Sequence, residues 1–351
     1  MLSVIKPSVL LRSAVIAATL VAAPSALAQD KMPVPPKQAE NPNAALRYWP
    51  EWSMLPNDVR QKLGAIDWDK VAGQTDASKL PQEYRDAAAY DLLWSVADGL
   101  KNASTIKRCD FEIRYDDGFM ALLPHLSHLR NGVRLLRVAA HEKLMAGDTD
   151  AAAGYAAAMA RCAAHVSSDS VLISSLVGMA CGTAACDEAR AIAETGKLSP
   201  AAREDLVKAV RALDTADPMN VRATLAFEGE VIPRYMERTY TGPKSGEQIV
   251  ALFKDLSRPA VDGEKALEQV GRMDAAAIKA ELVKVRAVYA EIYSAWNVDA
   301  DYSKLKAIND KVTSGAYGPV AQILCPSLEK AFASTKKFRD TVKATAAAVS
   351  K

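Results

Sequence analysis

The sequence runs to 351 residues, half of them hydrophobic, with 44 Lys+Arg against 42 Asp+Glu; that is enough chain for one large domain or two modest ones. A charge balance this close to neutral gives no general attraction for nucleic acid or an anionic membrane surface. Beyond the N-terminal stretch, no apolar run reaches the roughly 18 residues that mark a membrane-spanning helix.

The chain starts with Lys6 and Arg12, then an apolar run from Ala14 to Ala23, then Ala26-Leu27-Ala28 before Gln29-Asp30. Charged, apolar and small-residue segments in that order predict a secretory signal peptide over residues 1–28, cut after Ala28. Its apolar core is shorter than the roughly 20 residues of a permanent anchor. No cysteine stands at the cut, so a lipid anchor is not expected. The expected location is the periplasm or the exterior. Loss of Lys6 and Arg12 would leave as many basic residues as the 42 acidic ones.

Residues 29–43 carry Pro33, Pro35, Pro36 and Pro42 among polar residues and read as an extended or disordered spacer. From Ala44 onward apolar residues recur every three or four positions. Leu122, Leu126, Leu129, Val133, Leu136, Ala140 and Leu144 form one stripe. Ile278, Leu282, Val285, Tyr289, Ile292 and Trp296 form a second, and Leu324, Leu328, Phe332, Phe338 and Val342 a third. Each predicts one face of a long amphipathic helix. Gly147-Asp148, Gly196, Ser199-Pro200, Asp217-Pro218 and Thr241-Gly242-Pro243 punctuate the helices. Residues 109–116 alternate too briefly for a strand and read as an extended linker. The fold class is therefore all-α: helical hairpins or a bundle, with an N-terminal helical region (44–242) and a C-terminal one (243–351) packed on it as one continuous domain. The hairpin around Gly147 looks tetratricopeptide-like, with Ala140 and Ala152 small where two helices must approach. No second copy follows at a 34-residue period.

These stripes place one residue oddly. Val221, Leu225, Ile232 and Tyr235 share a helix face, and Glu228 falls in the middle of it. A carboxylate there needs a partner, a proton or a cavity. Pro233 opposes the carbonyl of Gly229 and should kink the helix beside it. The expected partner is an arginine. Arg130, Arg134, Arg137 and His141 step by four, three and four along the flank of the Leu122 stripe, as a solvated flank or one side of inter-helix ion pairing. The sharper alternative is a ligand or hydrolase site built from Glu228, Glu230, that arginine strip and His125.

Other constellations are weaker. His125 and His128 have a chelating spacing, but His141 projects away from both and no His-Glu-x-x-His follows; His125 reads as a packed residue of the first turn. Asp110, Glu112, Asp116 and Asp117 lack the EF-hand spacing and read as a solvated loop. Ser-x-x-Lys recurs at Ser104, Ser303, Ser327 and Ser334 without a Lys-Thr-Gly partner. A P-loop, a dinucleotide fingerprint and Gly-x-Ser-x-Gly are absent. No cofactor or metal is implied, and the balance leans away from an enzyme. Of Cys109, Cys162, Cys181, Cys186 and Cys325, an odd set, Cys181 and Cys186 share a helix at a separation that prevents a bridge; the pairing of the others stays open. Trp49, Trp52, Trp68 and Trp94 either plug one end of the bundle or form a sticky surface.

Several short segments together resemble a family of exported helical proteins found mainly in planctomycetes and some other bacteria. They are Asn43-Ala44-Ala45 with Trp49 and Trp52, Cys109-Asp110-Phe111, Leu122-Leu123-Pro124-His125-Leu126 and Asp148 to Ala152. Leu172-Ile173 with Leu176-Val177, Glu228-Gly229-Glu230 and Pro326-Ser327-Leu328 complete the set. The resemblance covers most of 43–345. It implies the helical fold and export, and brings no activity with it. Members often continue into a Tyr/Gly/Pro-rich segment, which this sequence does not contain. The expected role is binding: a scaffold whose partner is another envelope protein, with neither nucleic acid nor an integral membrane segment involved.

Overall fold

The computed structural model describes residues 42–256, 264–325 and 327–351. The expected signal peptide and nearly all of the Pro-rich spacer lie outside the described residues. Within them the chain is all-α; the single parallel bridge, Asn43 to Arg108, is the only β pairing. Residues Asn43–Lys351 form one compact unit.

Asn43 anchors the start of that unit. Its Oδ1 accepts the N–H groups of Ala45 (3.2 Å) and Asp110 (2.9 Å), while its Nδ2 donates to the Asp110 carbonyl at 2.8 Å. Helix α1 (Ala44–Ser53) is thereby capped and tied to the linker in one step. Residues 43–45 and 109–111, far apart in sequence, meet here. Short helices α2 (Asn57–Ala65), α3 (Trp68–Val71) and α4 (Gln82–Ala88) follow, then α5 (Leu93–Ser104).

The centre is a run of three long helices, α6 (Pro124–Met145), α7 (Thr149–Val166) and α8 (Leu172–Glu194). Pro124 opens α6, where a missing N–H costs nothing. Gly147 (φ +79°) turns the chain, and Asp148 accepts the Ala151 N–H at 3.2 Å to start α7. Helix α7 is alanine-rich and buried on nearly every side, as expected for a helix with neighbours all round. It packs on α5, α6, α8 and α9 (Pro200–Arg211). The predicted start of the α6 stripe needs one correction. Leu126, Leu129, Val133, Leu136 and Ala140 are buried, but Leu122 precedes the helix and is 84 % exposed.

The C-terminal part wraps this centre with α10 (Val221–Thr239), α11 (Ser245–Leu256), α12 (Glu264–Gly271), α13 (Ala275–Ala295), α14 (Ser303–Thr313), α15 (Pro319–Leu324) and α16 (Leu328–Val349). The second and third predicted stripes are buried as expected, but the third is not one helix: Leu324 closes α15 and Leu328 opens α16. Helix α16 lies against α8 where Gly182 faces Phe338. Helix α10 continues past Pro233 as one helix, and it meets α13 at Gly229. The tryptophans split between the two predicted roles: Trp52 is buried and Trp68 half-buried, whereas Trp49 and Trp94 are exposed.

A methyl group at Gly229 would sit 2.3 Å from Tyr289 Cβ, too close for any rotamer change to relieve. Gly229→Ala should therefore destabilise by about 1–3 kcal/mol, outweighing the roughly 1 kcal/mol that alanine gains in helix propensity. Urea denaturation checks this; an unchanged or raised midpoint would mean that α10 and α13 pack differently.

Candidate functional site

Four segments converge on a cleft of about 190 Å³. One is the 3₁₀ turn Tyr115–Met120. The second is the irregular segment before α6 at Ala121 and Leu123, and the third is the loop Ser170–Val171 with the first turn of α8. The fourth is the face of α10 carrying Phe227, Glu228, Val231 and Ile232. The turn keeps its shape through Gly118, whose φ of +54° and ψ of −123° favour glycine. A Cβ there would also collide with Tyr235. The Tyr115 and Phe227 rings meet edge-on, 5.0 Å between centroids, and Tyr115 Oη accepts the Ser170 N–H at 3.1 Å.

Glu228 is the single acidic side chain of the lining. As predicted, it interrupts an apolar face: Val221 and Leu225 are buried, Ile232 and Tyr235 partly so. The predicted arginine partner is wrong. Glu228 Oε1 accepts the backbone N–H of Leu172 at 2.7 Å, and no cationic side chain lies within ion-pair distance of it among the described residues. The physical reason is the neighbouring helix end. The first N–H groups of α8 have no partner within their own helix, and the positive end of its dipole favours a carboxylate. Val171, the residue before α8, has no side chain that could cap it. Oε2 has no hydrogen-bond partner among the described residues. Burial pushes the Glu228 carboxyl up to about 7, and the Leu172 N–H pulls only partly against it.

The arginine strip does not reach this cleft. Arg137 turns to Glu188 of α8, Nε to Oε1 at 2.7 Å, with both side chains largely buried. Its guanidinium also lies over the Trp68 ring, 4.1 Å from the centroid. Burial pushes the Glu188 carboxyl up, and Arg137 draws it back. Arg134 contacts Asn131 at 3.1 Å, and Arg130 is exposed. His141 is buried, sharing Tyr84 Oη with Glu142. Glu230 is exposed on another face of α10 and reaches Arg286 of α13 at 3.1 Å. The six residues proposed as one site, Glu228, Glu230, Arg130, Arg134, Arg137 and His125, are thus dispersed; only Glu228 lines the cleft.

His125 lies just behind it. The ring is buried, stacked on Phe111 at 4.2 Å, and Nε2 donates to Asp169 Oδ2 at 2.7 Å. Ser174 Oγ donates to the same oxygen at 2.9 Å. Serine and histidine both address the carboxylate and not each other, so this is no nucleophile–base relay. It ties α6, the 167–171 loop and α8 together behind the cleft. His128 instead stacks on Trp52 and meets Trp49 edge-on. No cluster of three metal-ligating side chains exists among the described residues. The acidic stretch is internally occupied: Asp110 pairs with Arg108 and caps Glu112, and Asp117 pairs with Arg114.

The five cysteines are free thiols. Burial raises Cys162, Cys181 and Cys325 to about 12 and Cys186 to about 11. Cys109 is raised further still, again chiefly by burial. Cys162 Sγ contacts Tyr48 Oη at 3.3 Å, and that hydroxyl also meets His165 Nδ1 at 2.8 Å. Burial lowers His165 to about 4, so the three form a neutral buried cluster.

Sequence reasoning missed Tyr115, Phe227 and Val171 as lining residues, and Glu188 as the partner of Arg137. Glu188 had a signal. It continues the spacing Cys181, Ala185, Glu188, Ile192, all buried, yet α8 is apolar on so many sides that no single face stands out.

Two outcomes follow. Arg137→Met leaves Glu188 buried without a counter-charge and should cost about 3–5 kcal/mol in urea unfolding, while adding Glu188→Leu should recover most of it. If the double variant is no more stable than the single one, the pair is not what holds α6 to α8. Glu228 should titrate near pH 7 by carboxyl NMR. Its folded value lies above its unfolded one, so the unfolded chain loses the proton first. Stability should then fall as pH rises from about 4.5 to about 7 and level off above that. Glu228→Gln should remove that decline, and a midpoint near 4.5 would refute the buried environment.

No protein-family profile, curated protein or solved structure matches the chain, so function has to be argued from the residues themselves.

Proposed function

We propose that this is an exported helical binding protein of the bacterial envelope that holds a small, mostly apolar ligand in the Glu228 cleft. The observation that carries this reading is a carboxyl in a mostly apolar lining, with one oxygen bound to a backbone N–H and the other without a protein partner among the described residues. Few convergent polar groups in an apolar concavity are the usual make-up of a ligand pocket. The size suits a molecule with a single ring, since a cavity of roughly 150 Å³ accommodates benzene. Export is supported by the order of segments in residues 1–28.

Catalysis draws no support from the contacts. Glu228 has no hydrogen bond to a serine, cysteine or histidine among the described residues, and Glu230 faces elsewhere. A hydrolase pairing Glu228 with the arginine strip would need Arg137 to abandon Glu188.

A second reading, docking of another envelope protein, is favoured by the apolar rim. Met120 and Leu122 flank the lining residue Ala121, and Leu176 stands one turn beyond Ile173; all four are exposed, Leu122 at 84 %. Ligand-observed NMR with a library of single-ring fragments separates the two readings. A cleft ligand should give saturable binding that Val231→Trp, filling the cleft, abolishes. Absence of saturable binding by any fragment would remove the small-ligand reading and leave the docking one.

A further inference from the structure

The ligand chemistry can be narrowed, an inference that rests on the small-ligand reading above. Among the described residues, no lysine, arginine or histidine lines the cleft. A carboxylate or phosphate ligand would therefore face Glu228 with nothing to offset the repulsion. At the nearby start of α8 the Leu172 N–H is already taken by Glu228 Oε1 at 2.7 Å, so an anion approaching that helix end would also meet the carboxylate. Oε2 has no protein donor among the described residues and keeps some solvent exposure. A buried carboxylate lacking a counter-charge is costly, and a ligand bringing a cation relieves that cost. The paired rings of Tyr115 and Phe227, 5.0 Å apart, add aromatic faces of the kind that attract cations. Leu123, Val171, Val231 and Ile232 supply the apolar wall.

We infer that the cleft receives a small apolar amine, its ammonium donating to Glu228 Oε2 and its hydrocarbon body lying against Tyr115, Phe227 and Val231.

Amine binding selects the ionised carboxyl, so affinity should follow Glu228's titration near pH 7. The titratable neighbours do not blur this. Tyr115 of the turn and Tyr289 of α13 are both raised above the ordinary tyrosine value, chiefly by burial, and stay neutral across the range. Among the described residues, burial raises the Glu228 carboxyl and the Leu172 N–H lowers it.

The test uses the full chain and three probes of one shape in calorimetry: 2-phenylethylamine, 2-phenylethanol and 3-phenylpropionate. At pH 8 the amine should bind at least about tenfold tighter than the alcohol, equivalent to 1.4 kcal/mol, and the propionate should bind weakest. Lowering the pH to 5.5 should weaken the amine by about ten- to thirtyfold, because the carboxyl takes up a proton, and leave the alcohol unchanged. Glu228→Gln should bring amine and alcohol to equal affinity, its retained alcohol binding showing an intact cleft. Alcohol binding without amine preference, or propionate matching the amine, overturns the inference and leaves the small-ligand reading standing. If none of the three binds, the inference falls, and the fragment library decides the small-ligand reading. Should Glu228→Gln not fold, the pH series on the unaltered chain decides alone, and a flat amine profile overturns the inference.

Discussion

Close approach of helices through small side chains is the constraint on which this structure depends. Helix α7 contributes alanine after alanine to four neighbours, so its backbone sits nearer to each than leucine would allow. The same device recurs outside the centre, with Gly182 under Phe338 and Gly229 under Tyr289. Packing of this kind leaves little room to relax, because interiors are as dense as organic crystals. It also fixes the axial position of each helix. The Gly229–Tyr289 contact sets where α10 lies along α13, and thereby sets where Glu228, one residue away, presents its carboxyl.

Much of the fold was legible in the amino-acid order, for a physical reason. The stripes at 278–296 and 324–342 belong to helices with one buried face and one wet face, and such helices announce themselves by spacing. Helices α7 and α8 do not; apolar nearly all round, they revealed that they are buried and not against what. The misplacement of Leu122 has a similar cause. It keeps the three-and-four rhythm of α6, but Pro124 starts the helix two residues later, and the rhythm alone cannot see a helix boundary.

The site was half legible. That Glu228 stands in an apolar face follows from a hundred degrees of rotation per residue. The identity of its partner does not, because an N–H at the start of another helix has no letter in the sequence. Arginines are visible in a sequence and backbone donors are not, so the sequence points to the visible candidate. The correction changes the chemistry. Pairing with a guanidinium would have left a closed, neutralised contact, whereas one backbone N–H satisfies a single oxygen and leaves a carboxyl that gains or loses its proton near neutrality. The cleft wall was harder to foresee for a plainer reason: Tyr115, Val171 and Phe227 come from three segments distant in sequence, brought together by the 3₁₀ turn docking on α10 and by the loop that His125, Asp169 and Ser174 hold in place.

Burial of the thiols carries one more consequence. Cys162 on α7 lies against Tyr48 of α1, Cys181 on α8 is equally buried, and only the thiolate reacts with alkylating reagents or disulfides. With their acidities this weak and both side chains buried, modification must wait until the helices that cover them part. The sulfur atoms thus act as built-in timers for that separation, and their alkylation rate in native buffer measures how often the centre of the molecule opens.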